Sequence, residues 1–337
     1  MSHFVVSVDL GYGNAKIVYG QHAGQERTRV LPVGAAPSGA LIRGLTGEES
    51  TAGYRVLVDG EEWVAGVDPS ALENHVRVTD TRYVTTPQYK AMFYAALRAV
   101  DAPEIDCLVT GLPVSEYQQG KERIEEVVRV MKGEHFITRD RSVVVRDVRV
   151  LPQPVGAYFD ALATHEVLAR NRDIYLLVVD PGYGTVDWAT VNKHGLVDTF
   201  SGTSRSATSV ILEETARVFT RDHGHRVSPG RLEEALRAGR THIVVGLEEM
   251  SFRSELETAA QAASDNVLQE ISNNLRTASF DVDAIVLCGG AAGLYEPAVR
   301  QIFKSKVFLP TNPVASNARG FFLSGVRVMK RRAQVAA

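Results

Sequence analysis

Short apolar runs alternate with polar turns along this chain, and two of the runs lead into nearly the same sequence. Residues 4–8 read Phe-Val-Val-Ser-Val, and residues 175–179 read Tyr-Leu-Leu-Val-Val. Runs of this length that are rich in β-branched residues and bounded by glycine are typical of buried strands. We therefore predict a buried strand at each of the two places.

Each of these strands is followed by an acid and a glycine-flanked turn. Residues 9–16, called the first turn below, read Asp-Leu-Gly-Tyr-Gly-Asn-Ala-Lys. Residues 180–187, the second turn, read Asp-Pro-Gly-Tyr-Gly-Thr-Val-Asp. The two copies stand about half a chain apart, which indicates a duplicated unit and not a short tandem repeat.

The glycines on either side of the tyrosine predict the chemistry of these turns. Glycine adopts positive φ without strain, so successive backbone N–H groups can converge on an anion such as phosphate. The preceding acid cannot usefully touch phosphate, but it can hold the water ligands of Mg²⁺. A single copy would be explained by an ordinary hairpin turn. Two copies behind apolar strands favour a phosphate site.

Helical patterns separate these strands from others. Pro87 after Thr86 opens a helix with apolar residues three and four apart. Ser115 and Gln118 form a predicted capping box for a helix over residues 115–131. Further helices are predicted at residues 155–169, 206–220 and 252–278, and from Ala315 onward; further strands are predicted at residues 15–19, 28–33, 54–58, 61–64, 107–110, 135–138, 142–150, 185–191, 196–200 and 283–288. This mixture predicts an α/β fold.

Composition and charge narrow the function classes. The chain has 337 residues, 45% hydrophobic and 23% charged, with a net charge of −3 and a pI near 6.3. That length predicts about two domains, and this charge offers no general attraction for nucleic acid or anionic lipid. Cys107 and Cys288 lie in separate apolar runs and are predicted to be reduced core residues. With no signal peptide or membrane-spanning run recognised, we expect a cytoplasmic protein without a membrane partner.

Five elements stand in order along the chain: the first turn, Gln153-Pro-Val-Gly before a helix, the second turn, a strand ending in Gly289-Gly290, and a final helix from Ala315. This order resembles the actin, Hsp70 and sugar-kinase superfamily. With the Asp59-Gly60 hairpin and Thr110-Gly-Leu-Pro, the chain looks like actin-like proteins of the ParM/StbA plasmid-segregation type. It departs from their commonest second turn, because Pro181-Gly-Tyr stands where many relatives have Ile-Gly-Gly.

The resemblance implies a fold and an activity. The fold would be α/β, with two actin-like (ribonuclease H-like) domains around an interdomain nucleotide cleft. The first domain would take residues 1–152 plus 312–337, and the second residues 153–311, with a smaller subdomain near 204–258. The implied activity is a Mg²⁺-dependent ATPase, or alternatively a GTPase, that polymerises into filaments of its own copies. Its role would be DNA segregation through a DNA-binding adaptor protein, without direct contact to nucleic acid.

The resemblance also assigns roles to individual residues. Asp9 and Asp180 would hold Mg²⁺ through water, and Gln153 would orient the attacking water. Lys16 would reach the β- and γ-phosphates, and Asp187 matches a second acid near the metal. The other implied nucleotide contacts come from the two turns, from one helix and from the end of a later strand: Gly11, Tyr12, Gly13, Asn14, Gly182, Tyr183, Gly184, Thr185, Glu213, Glu214, Gly289, Gly290 and Ala291.

Several of these residues could instead have a purely structural role. Lys16 could be an exposed strand lysine, Gln153 could cap the helix that follows it, and Gly289-Gly290 could be a strand-to-helix turn. Glu213 and Glu214 also fit an exposed helix face.

Two other functions are compatible with parts of this pattern. A non-polymerising small-molecule kinase or phosphatase of the same superfamily is the alternative function, although no sugar-binding signature stands out. A dinucleotide-binding Rossmann enzyme is rejected. The first turn leads into a predicted strand and not a helix, and Lys16 occupies the position of the third glycine.

Overall fold

A computed structural model of the protein describes residues 3–22, 24–42, 53–73, 77–78, 81–171 and 173–335. The chain divides into two compact units, Met1–Asp173 with Leu309–Ala337 and Ile174–Phe308. We describe each unit separately, as the first unit and the second unit. Among the described residues, no helix combines the length and the apolar character that crossing a membrane requires.

The first unit is built from strands and helices in mixed order. Up to residue 173 these are β1 (Phe4–Leu10), β2 (Asn14–Gln21), β3 (Arg27–Pro32), β4 (Gly34–Pro37), β5 (Tyr54–Val58), β6 (Glu61–Val67), α1 (Pro87–Val100), β7 (Glu104–Ile105), β8 (Cys107–Leu112), α2 (Val114–Tyr117), α3 (Lys121–Met131), β9 (Gly133–Phe136), β10 (Ser142–Val145), β11 (Val148–Pro152), α4 (Gln153–Thr164) and α5 (Glu166–Arg170).

The second unit follows, and the chain then returns to the first. The second unit comprises β12 (Leu176–Pro181), β13 (Val186–Asn192), β14 (Gly195–Leu196), β15 (Gly202–Ser204), α6 (Thr208–His223), α7 (Pro229–Arg237), β16 (His242–Val245), β17 (Glu248–Ser251), α8 (Arg253–Leu275), β18 (Ala284–Leu287), α9 (Ala292–Ile302) and β19 (Lys306–Phe308). Helix α10 (Ser316–Val335) belongs to the first unit.

The central sheet of the first unit has the strand order β11-β8-β1-β2-β3. Strands β8 and β11 run parallel to β1. Strand β2 is antiparallel to β1, and β3 is antiparallel to β2. Successive side chains of β1 point to opposite faces. Val6 and Val8 therefore join the core that contains α1, and Val5 joins the core that contains Phe321 of α10. Both faces are covered, which explains why β1 reads as a continuous apolar run.

The sheet of the second unit repeats this plan. Its order is β14-β13-β12-β18-β19, with β15 also paired to β13. Strands β12 and β13 form an antiparallel hairpin, and β18 runs parallel to β12 on the other side. The hairpin of β1 and β2 beside β8 has the same topology. The predicted α/β class and the duplication are confirmed. Each glycine turn leads into a strand, as predicted, whereas a Rossmann fold would have a helix at this point.

Helix α4 lies in the first unit because it packs tightly on α10. A Cβ atom added to Gly320 of α10 would lie 1.6 Å from the backbone oxygen of Gly156 on α4, so only glycine permits this approach. The compact units consequently divide after Asp173 and Phe308, which differs from the predicted bounds of 1–152 plus 312–337 and 153–311. The smaller subdomain proposed near residues 204–258 lies within the second unit.

Several predicted elements are divided in the structure. The helix predicted over residues 115–131 is two helices, α2 and α3, because Gly120 between them has φ of +93°. Ser115 lies inside α2, whose N-cap residue is Pro113, so the predicted capping box is wrong. The helix predicted at 155–169 is α4 and α5, the strand predicted at 142–150 is β10 and β11, and most of the strand predicted at 196–200 is a short 3-10 helix at Asp198–Phe200.

Candidate functional site

Two predicted site residues, Lys16 of the first turn and Gln153 of α4, lie around the carboxylate of Asp9. Asp9 lies near the carboxyl end of β1 and is 2% exposed. Lys16, directly opposite it on β2, places Nζ 3.2 Å from Asp9 Oδ2. Gln153 donates from Nε2 to Asp9 Oδ1 at 3.3 Å. A charge buried this deeply requires such partners, so Asp9 is held from both of its oxygens.

Lys16 is part of the turn and not an exposed strand lysine. Its side chain is only 15% exposed. A Cβ atom added to Gly11 would lie 3.1 Å from Lys16 Nζ, so the ammonium group lies directly against the turn backbone. Gly11, Gly13, Gly182 and Gly184 do not have positive φ, so the prediction that positive φ makes the amides of these turns converge on an anion is wrong. The arrangement does place a positive charge beside the backbone of the first turn, where an anion would meet both.

Gln153 is the first residue of α4, and its side chain does not cap that helix. Pro152 is the N-cap residue, and no side chain makes a capping hydrogen bond there. The Gln153 amide is instead directed to Asp9. Asn317 of α10 fixes the start of α4, because its Oδ1 accepts a hydrogen bond from Ala157 N at 3.2 Å.

Tyrosines support the tip of the first turn. The ring of Tyr12 packs on Tyr83 with centroids 5.3 Å apart, and Tyr83 meets Tyr89 edge to face at 5.1 Å. Burial raises the pKa of Tyr83 to about 12, and it also raises the pKa of Tyr89. Both phenols therefore stay protonated near neutral pH. Sequence reasoning missed Tyr83, which carries no motif and stands in a polar stretch ahead of α1.

The second turn is fitted against the end of β18. Asp180 is 6% exposed. A Cβ atom added to Gly289 would lie 2.3 Å from Asp180 Oδ1, and Gly289 has φ of +84°. Ala291 N donates to Pro181 O at 3.1 Å. Gly289 and Ala291 thus lie beside the second turn, whereas a Cβ on Gly290 would meet nothing within 4 Å.

The start of helix α6 donates hydrogen bonds to backbone carbonyl groups of the second turn. Thr208 donates to Gly182 O from both its hydroxyl, at 2.7 Å, and its backbone N–H, at 3.3 Å. Ser209 N donates to Tyr183 O at 2.9 Å. The free N–H groups at the start of a helix usually need such acceptors. These carbonyl oxygens therefore point toward α6, an anchoring contact that sequence reasoning did not identify.

Asp187 is the most deeply buried acid of the second turn. It lies opposite Asp180 in the β12–β13 register and is 1% exposed. Its Oδ2 accepts from the Thr185 hydroxyl at 2.8 Å, and its Oδ1 accepts from the Thr203 hydroxyl at 2.5 Å. Thr203 lies on β15 and was not among the predicted site residues, because β15 is short and has no sequence signature.

The two glutamates predicted on α6 have different surroundings. Glu214 pairs with Arg217 at 2.6 Å, and this hydrogen bond lowers the pKa of the carboxyl group. Glu213 lines an open pocket of about 380 Å³. The pocket is also lined by residues of α6 and of the segment leading into α7: Ala216, Arg217, Thr220, Arg226, Val227 and Pro229. Since Thr208 anchors the second turn, Glu213 lies about 7.5 Å farther along the same helix.

Asp9 and Asp180 are suited to a cation that keeps its water ligands and is held through them. Within the described residues, no group of three or more His, Cys, Asp or Glu side chains is arranged around a common metal position. Mg²⁺ usually retains several waters and takes one or two carboxylates together with phosphate oxygens. Single buried carboxylates at strand ends, Asp9 and Asp180, are therefore compatible with Mg²⁺, whereas a direct all-protein metal cage is not seen in this part of the chain.

Comparisons with known proteins agree with this geometry. Residues 7–156 match the family model "Actin like proteins N terminal domain", and residues 178–301 match "Archaeal actin homologue MreB-like, C-terminal". The chain belongs to the actin-like proteins. The predicted superfamily and the fold class of two actin-like domains are confirmed. A search of curated protein sequences found no match for this actin-like protein.

Solved structures of actin homologues cover nearly the whole chain. The archaeal actin homologue Ta0583 aligns with a TM-score of 0.77 and 19% identity, covering 96% of this chain and 99% of that one. A ParM from a 15-stranded filament of Clostridium botulinum has a TM-score of 0.74 and 17% identity, covering 97% and 100%. The actin-like protein Alp7A has a TM-score of 0.71 and 14% identity, covering 98% of each chain. At these identities the likeness establishes the fold.

Proposed function

We propose that this actin-like protein binds a nucleoside triphosphate with Mg²⁺, hydrolyses it, and assembles into filaments of its own copies. One observation supports this most directly. The buried carboxylate of Asp9 is held between the ammonium group of Lys16 and the amide of Gln153, at the base of a glycine turn. A cation, an acid and a neutral amide at such a turn are the groups that phosphate transfer to water requires.

Each group has a separate task in this proposal. Lys16 and the turn amides of residues 11–14 bind phosphate oxygens. Gln153 orients the attacking water, which contributes mainly by positioning. Bound Mg²⁺ would offset the charge that develops on the phosphate oxygens. We propose Asp9 in the first unit, and Asp180 in the second, as the carboxylates that hold its water ligands.

The second unit contributes comparable groups. Gly182 N–H already donates to Thr185 O at 2.8 Å. The amides of residues 183–185 are therefore proposed to bind phosphate, with Gly289, Gly290 and Ala291 packing against the base and ribose. Glu213 is the stronger candidate for a base or ribose contact, because it lines a pocket while Glu214 is engaged by Arg217. Asp187 is nearly inaccessible, so we propose that it acts through its neighbours.

The relatives support both the ligand and the assembly. Ta0583 has been solved in complex with ADP, in a structure that aligns with a TM-score of 0.76 and 17% identity. The ParM described above comes from a filament. We propose an adenine nucleotide, with GTP as the alternative, and self-assembly. A cytoplasmic role in DNA segregation through a DNA-binding adaptor protein is proposed on the same basis; the net charge of −3 favours an adaptor over direct DNA contact.

The test combines assembly with turnover. Light scattering, pelleting and phosphate release are measured with Mg-ATP, with Mg-GTP and with EDTA. We expect assembly and phosphate release with one Mg-nucleotide and neither in EDTA. Asp9→Ala should abolish nucleotide-dependent assembly. Mg²⁺ would lose a carboxylate that holds its water ligands, and without the bound cation the phosphate charge is less compensated in a partly dry site. Asp59→Ala is the matched control, since Asp59 lies on an exposed hairpin with 70% of its side chain accessible.

A different outcome would favour the alternative function. A protein that stays monomeric at high concentration with every nucleotide, yet transfers phosphate to or from a small metabolite, would be a kinase or phosphatase of the same superfamily. Normal assembly of Asp9→Ala at ordinary nucleotide concentration would show that the first turn is not the phosphate site.

A further inference from the structure

The hydrogen bonds around Asp187 determine which way the Thr185 hydroxyl can act. Thr185 directly precedes β13 and is partly buried, and its hydroxyl donates to Asp187 Oδ2 at 2.8 Å. Asp187 is 1% exposed, so almost none of its own surface is left to touch a nucleotide. Asp187 can therefore influence a ligand only through the protein groups that contact Asp187.

Thr203 holds the other oxygen of the same carboxylate. It faces Asp187 in the β13–β15 register, and its hydroxyl donates to Asp187 Oδ1 at 2.5 Å. Because each oxygen accepts a hydrogen bond from a different threonine, these two bonds fix the orientation of the carboxylate group. Hydrogen bonds to a charged acceptor are stronger than those between neutral groups. Asp187 thus keeps the proton of Thr185 directed toward itself.

A hydroxyl group has a single proton and two acceptor lone pairs. Once Thr185 has donated to Asp187, its oxygen can only accept from a further partner. Ionised phosphate oxygens have no proton to give, so they cannot be that partner. A water molecule can be, because it donates. The backbone N–H of Thr185 is therefore suited to binding phosphate, whereas its hydroxyl is suited to binding water.

We propose that Asp187 and Thr203 are positioning residues, which make the Thr185 hydroxyl a hydrogen-bond acceptor for a water molecule of the nucleotide site. This inference rests on the proposed function. It differs from the role that the family resemblance implies for Asp187, that of an acid near the metal. The water has two possible origins, the attacking nucleophile and a water ligand of Mg²⁺, and both have the same hydrogen-bond chemistry.

Substitutions at Thr203 test the positioning role. Thr203→Val keeps the shape of the side chain and removes the hydroxyl that donates to Asp187 Oδ1. We expect phosphate release to slow about 10-fold, as is usual when a group that orients a site residue is removed. The Kd for nucleotide should change by less than about 2-fold, since no phosphate contact is lost. Thr203→Ser restores the hydroxyl and should restore the rate.

Thr190→Val is the matched control. Thr190 lies on the same strand as Asp187 and is fully buried, and its hydroxyl donates to Phe200 O at 2.8 Å. Losing that hydrogen bond should lower the Tm as Thr203→Val does, without slowing phosphate release. The control separates the loss of a buried hydroxyl in this sheet from the loss of one that holds Asp187.

Thr185→Val distinguishes the two origins of the water. If the hydroxyl holds the attacking water, phosphate release slows at saturating Mg²⁺, while the Mg²⁺ dependence of binding a fluorescent nucleotide is unchanged. If it holds a water ligand of Mg²⁺, that binding curve shifts to higher Mg²⁺ concentration. Unchanged turnover and unchanged Mg²⁺ dependence in Thr185→Val would overturn the inference.

The remaining outcomes are also decisive. An active wild-type protein with the same rate in Thr203→Val overturns the inference and leaves the proposed function standing. Equal slowing by Thr203→Val and Thr203→Ser would also overturn it, because the serine keeps the hydroxyl. A wild-type protein that binds no nucleotide and releases no phosphate overturns the proposed function and this inference together.

Discussion

The first and second turns share one backbone plan and differ in charge at the same position. Both consist of an acid ending a strand, a Gly-Tyr-Gly turn and a returning strand. In each hairpin the acid faces the residue seven places later: Asp9 faces Lys16, and Asp180 faces Asp187. Opposite charges facing each other across strands stabilise a sheet, whereas like charges destabilise it. The second hairpin therefore needs donors from elsewhere, and Thr185 and Thr203 supply them to Asp187.

The two turns are also anchored by different neighbours. The first is held through its acid by Gln153 at the start of α4. The second is held through its carbonyl groups by the start of α6, where Thr208 and Ser209 donate. The comparison teaches that a duplicated hairpin preserves the turn backbone while its chemistry is set by the elements that pack against it. One copy carries a cation beside the acid, and the other carries a second acid.

The largest effect is expected from filling the space beside Asp180. Gly289→Ala places a methyl group 2.3 Å from Asp180 Oδ1 on a residue with φ of +84°. We expect phosphate release to fall by about 100-fold or more, because displacing a site group by an ångström has effects of that order. Gly293→Ala on α9 is the control, since its Cβ meets nothing within 4 Å. Equal rates for the two variants would show that Asp180 is not part of the site.

Removing the side-chain amide that α4 directs to the acid of the first turn should separate assembly from turnover. Gln153→Ala takes away a neutral group, so nucleotide affinity should change little. Losing orientation of the attacking water should slow phosphate release about 100-fold, and filaments should persist. The exposed Gln261→Ala on α8 serves as the control. Unchanged phosphate release per assembled subunit would remove Gln153 from the catalytic residues.

Replacing the cation of the first turn tests the charge difference itself. Lys16→Gln should weaken nucleotide binding by about 2 kcal/mol, which is roughly 30-fold in Kd, the usual contribution of a charged hydrogen bond. It should also lower the free energy of unfolding, because Asp9 loses its cation while buried. The double variant Lys16→Gln with Asp9→Asn should recover stability but not binding. The exposed Lys193→Gln should alter neither, and Kd and Tm measure both effects.

The smallest effect concerns acid sensitivity, which should be greater in the first unit. Burial lowers the pKa of His135, which is 7% exposed, with Nε2 2.9 Å from Met131 O. The unfolded chain, with a histidine pKa of about 6.5, therefore binds the proton first as pH falls. The free energy of unfolding should decrease below that pH, toward the lower folded-state pKa.

Hydrogen exchange at pH 7 and pH 5.5 measures this acid sensitivity in both units. None of the described histidines of the second unit is buried, so protection should fall more in β9 and β10 than in β12. His135→Phe, which keeps the aromatic packing on Phe93, should reduce the difference between the units, and the exposed His194→Gln should not. An unchanged difference in His135→Phe would assign the acid sensitivity to another group.

Much of the local structure was predictable because it depends on residues close together in the chain. The apolar runs and glycines predicted both hairpins and placed Asp9 and Asp180 at strand ends. Thr86 and Pro87 predicted the start of α1, where the Thr86 side chain indeed accepts from Tyr89 N. The predicted Asp59-Gly60 hairpin has positive φ at both turn residues, as a type I′ turn requires. Secondary-structure propensity and hydrophobic periodicity depend on residues a few positions apart. A single sequence is therefore enough to predict turns, strands and helix starts of this kind.

Contacts between distant residues were decided by tertiary packing alone. The sequence places Gln153 at a helix start, but only the approach of α4 and β1 directs its amide to Asp9, 144 residues away. The close contact of Gly156 and Gly320 puts α4 in the first unit and moves the boundary from residue 152 to Asp173. Tyr83 against Tyr12 and Thr203 against Asp187 had no signal in the sequence. Such pairs depend on how whole elements fill space together, which neighbouring residues in the chain do not specify.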